Sequence, residues 1–241
     1  MTRAVFAHGL TQTGRSWGRV IDALAARLDD LDAVAPDLPG HGDAATVSLD
    51  LWESAARLVD TGGTGSYVGY SMGGRVALHA AIAHPDSVRA LVLIGATAGI
   101  DDPEERAGRR AADETLAARV EEIGVASFLD SWLENPLFAG LTDAAAGRSD
   151  RLRNTSSGLA SSLRCCGTGT QEPLWDRLSE VRCPTLVLVG EHDAKFRALG
   201  ARLVDGIPDA RLEVVDGSGH SVHLEQPGTT VDALARFLSW H

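Results

Sequence analysis

The chain has little cysteine, no long apolar run and no surplus of positive charge, and each shortage removes a class of function. Its three cysteines, Cys165, Cys166 and Cys183, are odd in number, and two are adjacent, which is not the spacing of metal ligands. No metal site or disulfide framework is expected, and the expected setting is a reducing cytoplasm. No apolar stretch approaches the length of a membrane span. Thr2 to Ala7 runs straight into His8-Gly9 without a long apolar core or a small-residue cleavage site, so neither a secretory signal nor membrane insertion is expected. The formal net charge of −11 opposes binding to nucleic acid or to an anionic membrane surface. Internal repeats, low-complexity tracts and domain linkers are missing as well. What remains is a 241-residue chain, 44% hydrophobic and 23% charged, suited to one large globular domain with an insertion. Its composition fixes no oligomeric state.

The most informative stretch is Ser66-Tyr67-Val68-Gly69-Tyr70-Ser71-Met72-Gly73-Gly74-Arg75. A short β-favouring run reaches a serine flanked by glycines two residues before and two after, and Val76 to Ala81 then reads as a helix. Such a turn forces the serine into a strained backbone conformation, and the flanking positions must lack side chains to avoid a clash. The strain lifts the Ser71 hydroxyl out of the sheet. It also aims the Met72 amide, at the helix N-terminus, toward a developing oxyanion.

Around this turn, strands and helices alternate. Residues 3–7 read as a buried strand ending in His8-Gly9-Leu10, where the Leu10 amide is placed to be a second oxyanion donor. A helix follows from about Ser16, a plausible N-cap, to Leu28. The strand Asp32 to Ala35 leads into Pro36-Asp37-Leu38-Pro39-Gly40-His41-Gly42, a rigid turn at a strand's carboxyl end. His8 and His41 are read as structural. A helix over 49–60, the Ser71 turn and the apolar strand Val88 to Ile94 predict a parallel sheet with right-handed crossovers. From residue 100 to 176 the pattern becomes helical and dotted with arginine, with stripes at Leu116, Val120 and Ile123 and at Phe128, Leu129, Trp132 and Leu133. This segment is expected to be a helical cap inserted over the carboxyl edge of the sheet, leaving 1–99 and 177–241 as the core. Strands resume at Pro184 to Gly190 and Arg211 to Val215, and a last helix runs from about Thr229 to Trp240. The fold class is α/β, with a mostly parallel sheet of about six strands flanked by helices.

Ser71, Asp193 and His220 each lie just beyond a predicted strand. A serine hydroxyl is a poor nucleophile or base at neutral pH, so a histidine must take its proton and a carboxylate must orient that histidine. His220, between Gly219 and the last helices, suits the first role, and Asp193, after the strand ending at Gly190, suits the second. His192, His223 and Asp216 are the nearby alternatives.

With these residues in place, the chain resembles the 2-succinyl-6-hydroxy-2,4-cyclohexadiene-1-carboxylate synthases of menaquinone biosynthesis, which have the α/β-hydrolase fold. His8-Gly9-Leu10, Asp37 to Gly42 and the Asp193 and His220 loops occur in many α/β-hydrolases. More discriminating are Gly69 to Arg75, Arg106-x-x-Arg109-Arg110-x-x-Asp113, Phe128 to Trp132 with Asn135 to Phe138, Leu152-Arg153-Asn154, Gly167 to Gln171 with Leu174-Trp175, and Gly190 to Phe196. The resemblance implies a lyase without cofactor or metal that removes pyruvate from a small tricarboxylate. Ser71 would act as base through His220 and Asp193, and the Leu10 and Met72 amides would hold negative charge. The alternative is a serine carboxylesterase, lactonase or C–C bond hydrolase with Ser71 as covalent nucleophile. A non-catalytic receptor is a further one.

An acidic protein that binds a tri-anion needs fixed cations, and guanidinium matches carboxylate with two parallel contacts. Arg75, one turn past Ser71, and Arg109 and Arg153 on the insertion are the candidates, with Lys195 as a further carboxylate contact. Arg106 and Arg110 share a helix face that is either a solvated surface or a further source of cations, and Asp113 offers Arg109 a structural partner at i+4. Tyr70 and Trp132 are candidates to line the pocket. The amino terminus lacks the extra strands that many α/β-hydrolases place before the His-Gly loop, and Cys165-Cys166 has no assigned role.

Overall fold

The computed structural model describes residues 2–240. Six strands form one sheet: β1 (Thr2–Ala7), β2 (Leu31–Val34), β3 (Gly65–Tyr70), β4 (Val88–Ile94), β5 (Thr185–Gly190) and β6 (Ala210–Val215). Their spatial order is β2-β1-β3-β4-β5-β6, and every pairing is parallel. Parallel strands must be covered on both faces, which is why β3 and β5 are buried at every residue while the edge strands β2 and β6 are partly exposed. Side chains alternate between two cores. Val5, Tyr67, Leu91, Leu93 and Val187 face one, and Phe6, Val68, Val92, Ile94 and Leu188 face the other. Fully burying a side chain of this size contributes about 1.5–3 kcal/mol relative to exposure.

The helices that cover the sheet follow the expected alternation. They are α1 (Gly18–Ala25), α2 (Leu51–Gly62) and α3 (Met72–Ala83) before the insertion. The first begins differently from the expectation: Thr13, not Ser16, caps a 3-10 turn over Gly14–Trp17 that precedes α1, and the Ser16 hydroxyl donates to the Thr13 carbonyl. Asp50 and Glu53 close a reciprocal capping box at the start of α2.

Between β4 and β5 the chain is helical: α4 (Pro103–Leu133), two single turns α5 (Asp143–Ala146) and α6 (Arg148–Arg151), and α7 (Ser156–Cys166). Gly124, at φ 78°, breaks α4, which separates the two apolar stripes read in the sequence. Val120 and Phe128, on either side of the break, both pack with Leu159, Ala160 and Leu163 of α7. The expected boundary at residue 176 falls inside a 3-10 turn, Trp175–Glu180. The insertion rests on the loops that follow the strands: Thr13 donates to Asp150, Gly42 N–H to Asn154, and Asn154 Nδ2 to the Thr11 carbonyl at 2.6 Å. After β5 come α8 (Ala194–Gly206), the single turn α9 (Val222–Glu225) and α10 (Pro227–Leu238). Among the described residues no helix is long and apolar enough to cross a membrane.

Candidate active site

The sheet order reverses direction between β1 and β3, and their carboxyl ends open a crevice there, where open α/β sheets hold ligands. Ser71 stands at this point between β3 and α3 with φ 52° and ψ −108°, a strained conformation for a residue with a side chain. A Cβ at Gly69 would lie 2.4 Å from the Gly73 carbonyl oxygen, and one at Gly73 would lie 2.2 Å from that of Ala7. Both glycines are therefore required for the turn. The Ser71 amide donates to the Ile94 carbonyl at 2.8 Å, anchoring the strained residue to β4.

His220, buried on the loop after β6, places Nδ1 2.7 Å from Asp193 Oδ2. The other oxygen of Asp193 caps α8, accepting the Phe196 amide at 3.1 Å. A carboxylate can only accept, so Nδ1 carries a proton, and in the neutral ring that tautomer leaves the lone pair on Nε2. Nε2 is buried without a hydrogen-bond partner, and the ring lines the same cavity as Ser71. The imidazole fits against Gly95, where a Cβ would sit 2.8 Å from Cε1. Of the alternatives, His192 and Asp216 are exposed, and His223 is buried against Trp17 and Tyr70 with neither ring nitrogen bonded among the described residues.

In the cavity shared by Ser71 and His220, the Leu10 and Met72 amides have no acceptor among the described residues, and both residues line it. Met72 opens α3, so its N–H has no intrahelical partner. Two buried histidines hold the Leu10 loop. His8 Nε2 accepts the Leu38 amide and Nδ1 donates to the Gly9 carbonyl, while His41 Nε2 accepts the Thr11 amide and Nδ1 donates to the Pro39 carbonyl. Burial pushes their pKa values down to about 4 and about 3, so both are neutral brackets, matching the structural reading of the sequence.

The cavity, about 610 Å³, is walled by Arg75, Arg109, Arg151, Lys195, Tyr70 and Trp132. Arg75 is buried and, among the described residues, donates to Gln171 Oε1 at 3.4 Å; burial lowers its pKa to about 10, with Arg109 adding to the effect. Arg151 is also buried, bonding the Ala146 carbonyl and the Thr11 hydroxyl, and burial lowers its pKa too. Neither guanidinium makes an ion pair among the described residues. Arg109, more exposed, is held by Asp113 at 2.7 Å. The Tyr70 and Ser221 hydroxyls share a 2.6 Å hydrogen bond, and the Trp132 indole N–H has no partner among the described residues. Arg202 enters the wall as well, paired with Asp101 at 2.5 Å and stacked on Trp175.

Arg153, expected among the ligand arginines, is not in this wall. It lines a separate cavity beside Asp37 and Asp43, and its guanidinium meets Asp43 at 3.1 Å. Arg151, two residues earlier, occupies the place the sequence reading gave to Arg153. The Arg-Leu-Arg spacing signals that one arginine faces inward, since residues two apart on a helical turn point to different sides. Among the described residues no cluster of His, Cys, Asp or Glu is arranged to hold a metal ion.

Residues 4–233 match the model of the alpha/beta hydrolase family. A Bacillus subtilis protein named as a putative 2-succinyl-6-hydroxy-2,4-cyclohexadiene-1-carboxylate synthase is 34% identical over 98% of this chain and 89% of its own. The synthase of that name from Escherichia coli O1:K1 is 33% identical over 97% of this chain and 92% of its own. The structure of MenH from S. aureus superposes with a TM-score of 0.91 at 29% identity, covering 99% of this chain and 94% of that one. An enol-lactonase from Burkholderia xenovorans, 21% identical with a TM-score of 0.80 over 98% of this chain and 90% of its own, shares the fold. The chain thus belongs to the alpha/beta hydrolase family and, within it, to the 2-succinyl-6-hydroxy-2,4-cyclohexadiene-1-carboxylate synthases.

Proposed function

We propose that the protein is a lyase of menaquinone biosynthesis that eliminates pyruvate from 2-succinyl-5-enolpyruvyl-6-hydroxy-3-cyclohexene-1-carboxylate to give 2-succinyl-6-hydroxy-2,4-cyclohexadiene-1-carboxylate. The observation that carries this reading is the pair of buried, unpaired guanidiniums, Arg75 and Arg151, in the wall that also holds Ser71. A buried charge without a partner costs several kcal/mol, so such a cavity favours a ligand that brings anions. The substrate carries three carboxylates. Arg109 and Lys195 add cations in the same wall, and residues 100–176 serve as the cap that supplies Arg109 and Arg151.

The reaction moves the ring double bond from C3–C4 to C2–C3 and C4–C5, so C2 loses a proton and C5 loses the enolpyruvyl oxygen. His220 Nε2 takes the Ser71 hydroxyl proton, and the resulting alkoxide removes the proton from C2. The succinyl carbonyl next to C2 gathers the electron pair as an enolate, and the Leu10 and Met72 amides are the donors free to hold negative charge there or on Ser71. As the C5–O bond breaks, the proton held by His220 converts the departing enolate to pyruvate. Asp193 keeps Nδ1–H in place and stabilises the imidazolium between the two transfers.

Pyruvate release from the tricarboxylate, measured beside hydrolysis of neutral aryl esters, tests the reading. Fast release with slow ester turnover supports it. The reverse result assigns the triad to a carboxylesterase or related hydrolase.

A further inference from the structure

The ring of His220 is held by Asp193, but the main chain that carries it is held by a residue the mechanism does not use. Glu225 closes α9, five residues after His220, and its side chain turns back toward the loop. Oε2 accepts the Gly219 amide at 2.6 Å, and Oε1 accepts the Ser221 amide at 2.9 Å. One carboxylate therefore takes the N–H groups on both sides of His220. Charge-assisted bonds of this kind are roughly twice as strong as neutral ones. The loop needs such restraint, because Gly217, at φ 65°, and Gly219 leave its backbone permissive.

The same carboxylate touches the insertion. A Cβ at Gly140 would lie 2.0 Å from Glu225 Oε2, so the absence of a side chain at 140 leaves room for the clamp. Just before Gly140, Asn135, Leu137 and Phe138 line the cavity with Ser71. The carboxylate thus sits where the His220 loop, α9 and the cavity wall meet. It makes no ion pair among the described residues, and its partners are the two loop amides.

We propose that Glu225 is a positioning residue for the elimination, fixing the peptide planes either side of His220 so that Nε2 faces Ser71. The proposal rests on the reading of His220 as the group that relays the Ser71 proton. Among the described residues Glu225 forms no ion pair with an arginine and bonds the loop amides, so its expected effect is on the chemical step and not on substrate capture.

Glu225→Gln keeps the shape but sets an amide N–H₂ against one of the two donors. The expected result is a kcat lower by about ten- to a hundredfold, the range of a displaced catalytic group, with KM nearly unchanged; the lost charge-assisted bond also lowers thermal stability, so kcat is read well below the melting transition. The downfield proton NMR signal of the His220 Nδ1–H, bonded to Asp193, should shift or broaden, a readout that needs no substrate. Gly140→Ala is the second variant, since Gly140 is exposed and the added methyl must push the carboxylate aside; a smaller kcat-selective loss and the same spectral change are expected. An unchanged kcat and NMR signal in Gly140→Ala and in folded Glu225→Gln overturns the proposal. A parent that releases no pyruvate while the variants still perturb the His220 signal overturns the assigned reaction and leaves the clamp standing.

Discussion

Arg151 and Arg153, two residues apart, line different cavities: Arg151 shares one with Ser71, and Arg153 faces Asp43 in the other. Their replacement should separate two roles that the sequence presents as one. On the proposed function, Arg151→Ala would remove a charge-assisted contact to the anionic substrate, about 1.5–3 kcal/mol, or roughly a ten- to hundredfold rise in KM. Arg153→Ala removes a partly exposed ion pair, about 0–1 kcal/mol of stability, and should leave KM nearly unchanged. Initial rates of pyruvate release give both values, and equal effects from the two substitutions contradict the placement.

Gly95 supports the histidine from the sheet side. It has φ 53°, and a methyl there would come within 2.8 Å of His220 Cε1. Gly95→Ala should cost more than about 1 kcal/mol of stability, from the left-handed backbone alone, and should lower kcat further than the stability loss explains. Activity measured well below the melting transition separates the two, and full kcat in the folded variant argues against this seat for the imidazole.

Acid should destabilise the fold through histidines as well as carboxylates. Burial lowers the pKa values of His8, His41, His79 and His223 to about 4, 3, 4 and 3. The unfolded chain protonates each near 6.5, so below that pH it binds more protons than the folded protein does. Stability therefore falls as pH falls, by up to about 1.4 kcal/mol per pH unit for each histidine, until the folded values are reached. His223 has no hydrogen-bond partner on either nitrogen and stacks on Trp17 at 4.6 Å. In His223→Phe the slope of unfolding free energy between about pH 6 and about pH 4.5 should lessen by roughly one histidine's share. Urea unfolding across that range measures it, and an unchanged slope shows that His223 is not a buried neutral group.

The parts of the site fixed by chain direction and backbone strain were legible in the sequence. Ser71 needs Gly69 and Gly73 whatever surrounds it, Asp193 follows the apolar run of β5, and His220 follows β6, where charged and apolar residues alternate. The parts fixed by rotation of short elements were not. α6 is a single turn entered through Gly147 in the left-handed conformation, and that local phase decides whether Arg151 or Arg153 turns inward. The Gly124 break in α4 is similar, since a lone glycine in a helical pattern marks either a tolerated residue or an interruption. Thr13 outcompeted Ser16 as a cap because the 3-10 turn begins earlier than the apolar stripe. Arg202 was missed because its partners, Asp101 and Trp175, come from distant parts of the chain.

The central claim is that the Ser71 oxygen removes a proton from C2 of the tricarboxylate and forms no bond to the substrate. Single-turnover pyruvate release from substrate deuterated at C2, with the intact mass of the enzyme recorded during the reaction, tests it most directly. The account predicts slower release from the deuterated substrate and an unmodified Ser71. Equal rates, together with a covalent adduct on Ser71, would contradict it.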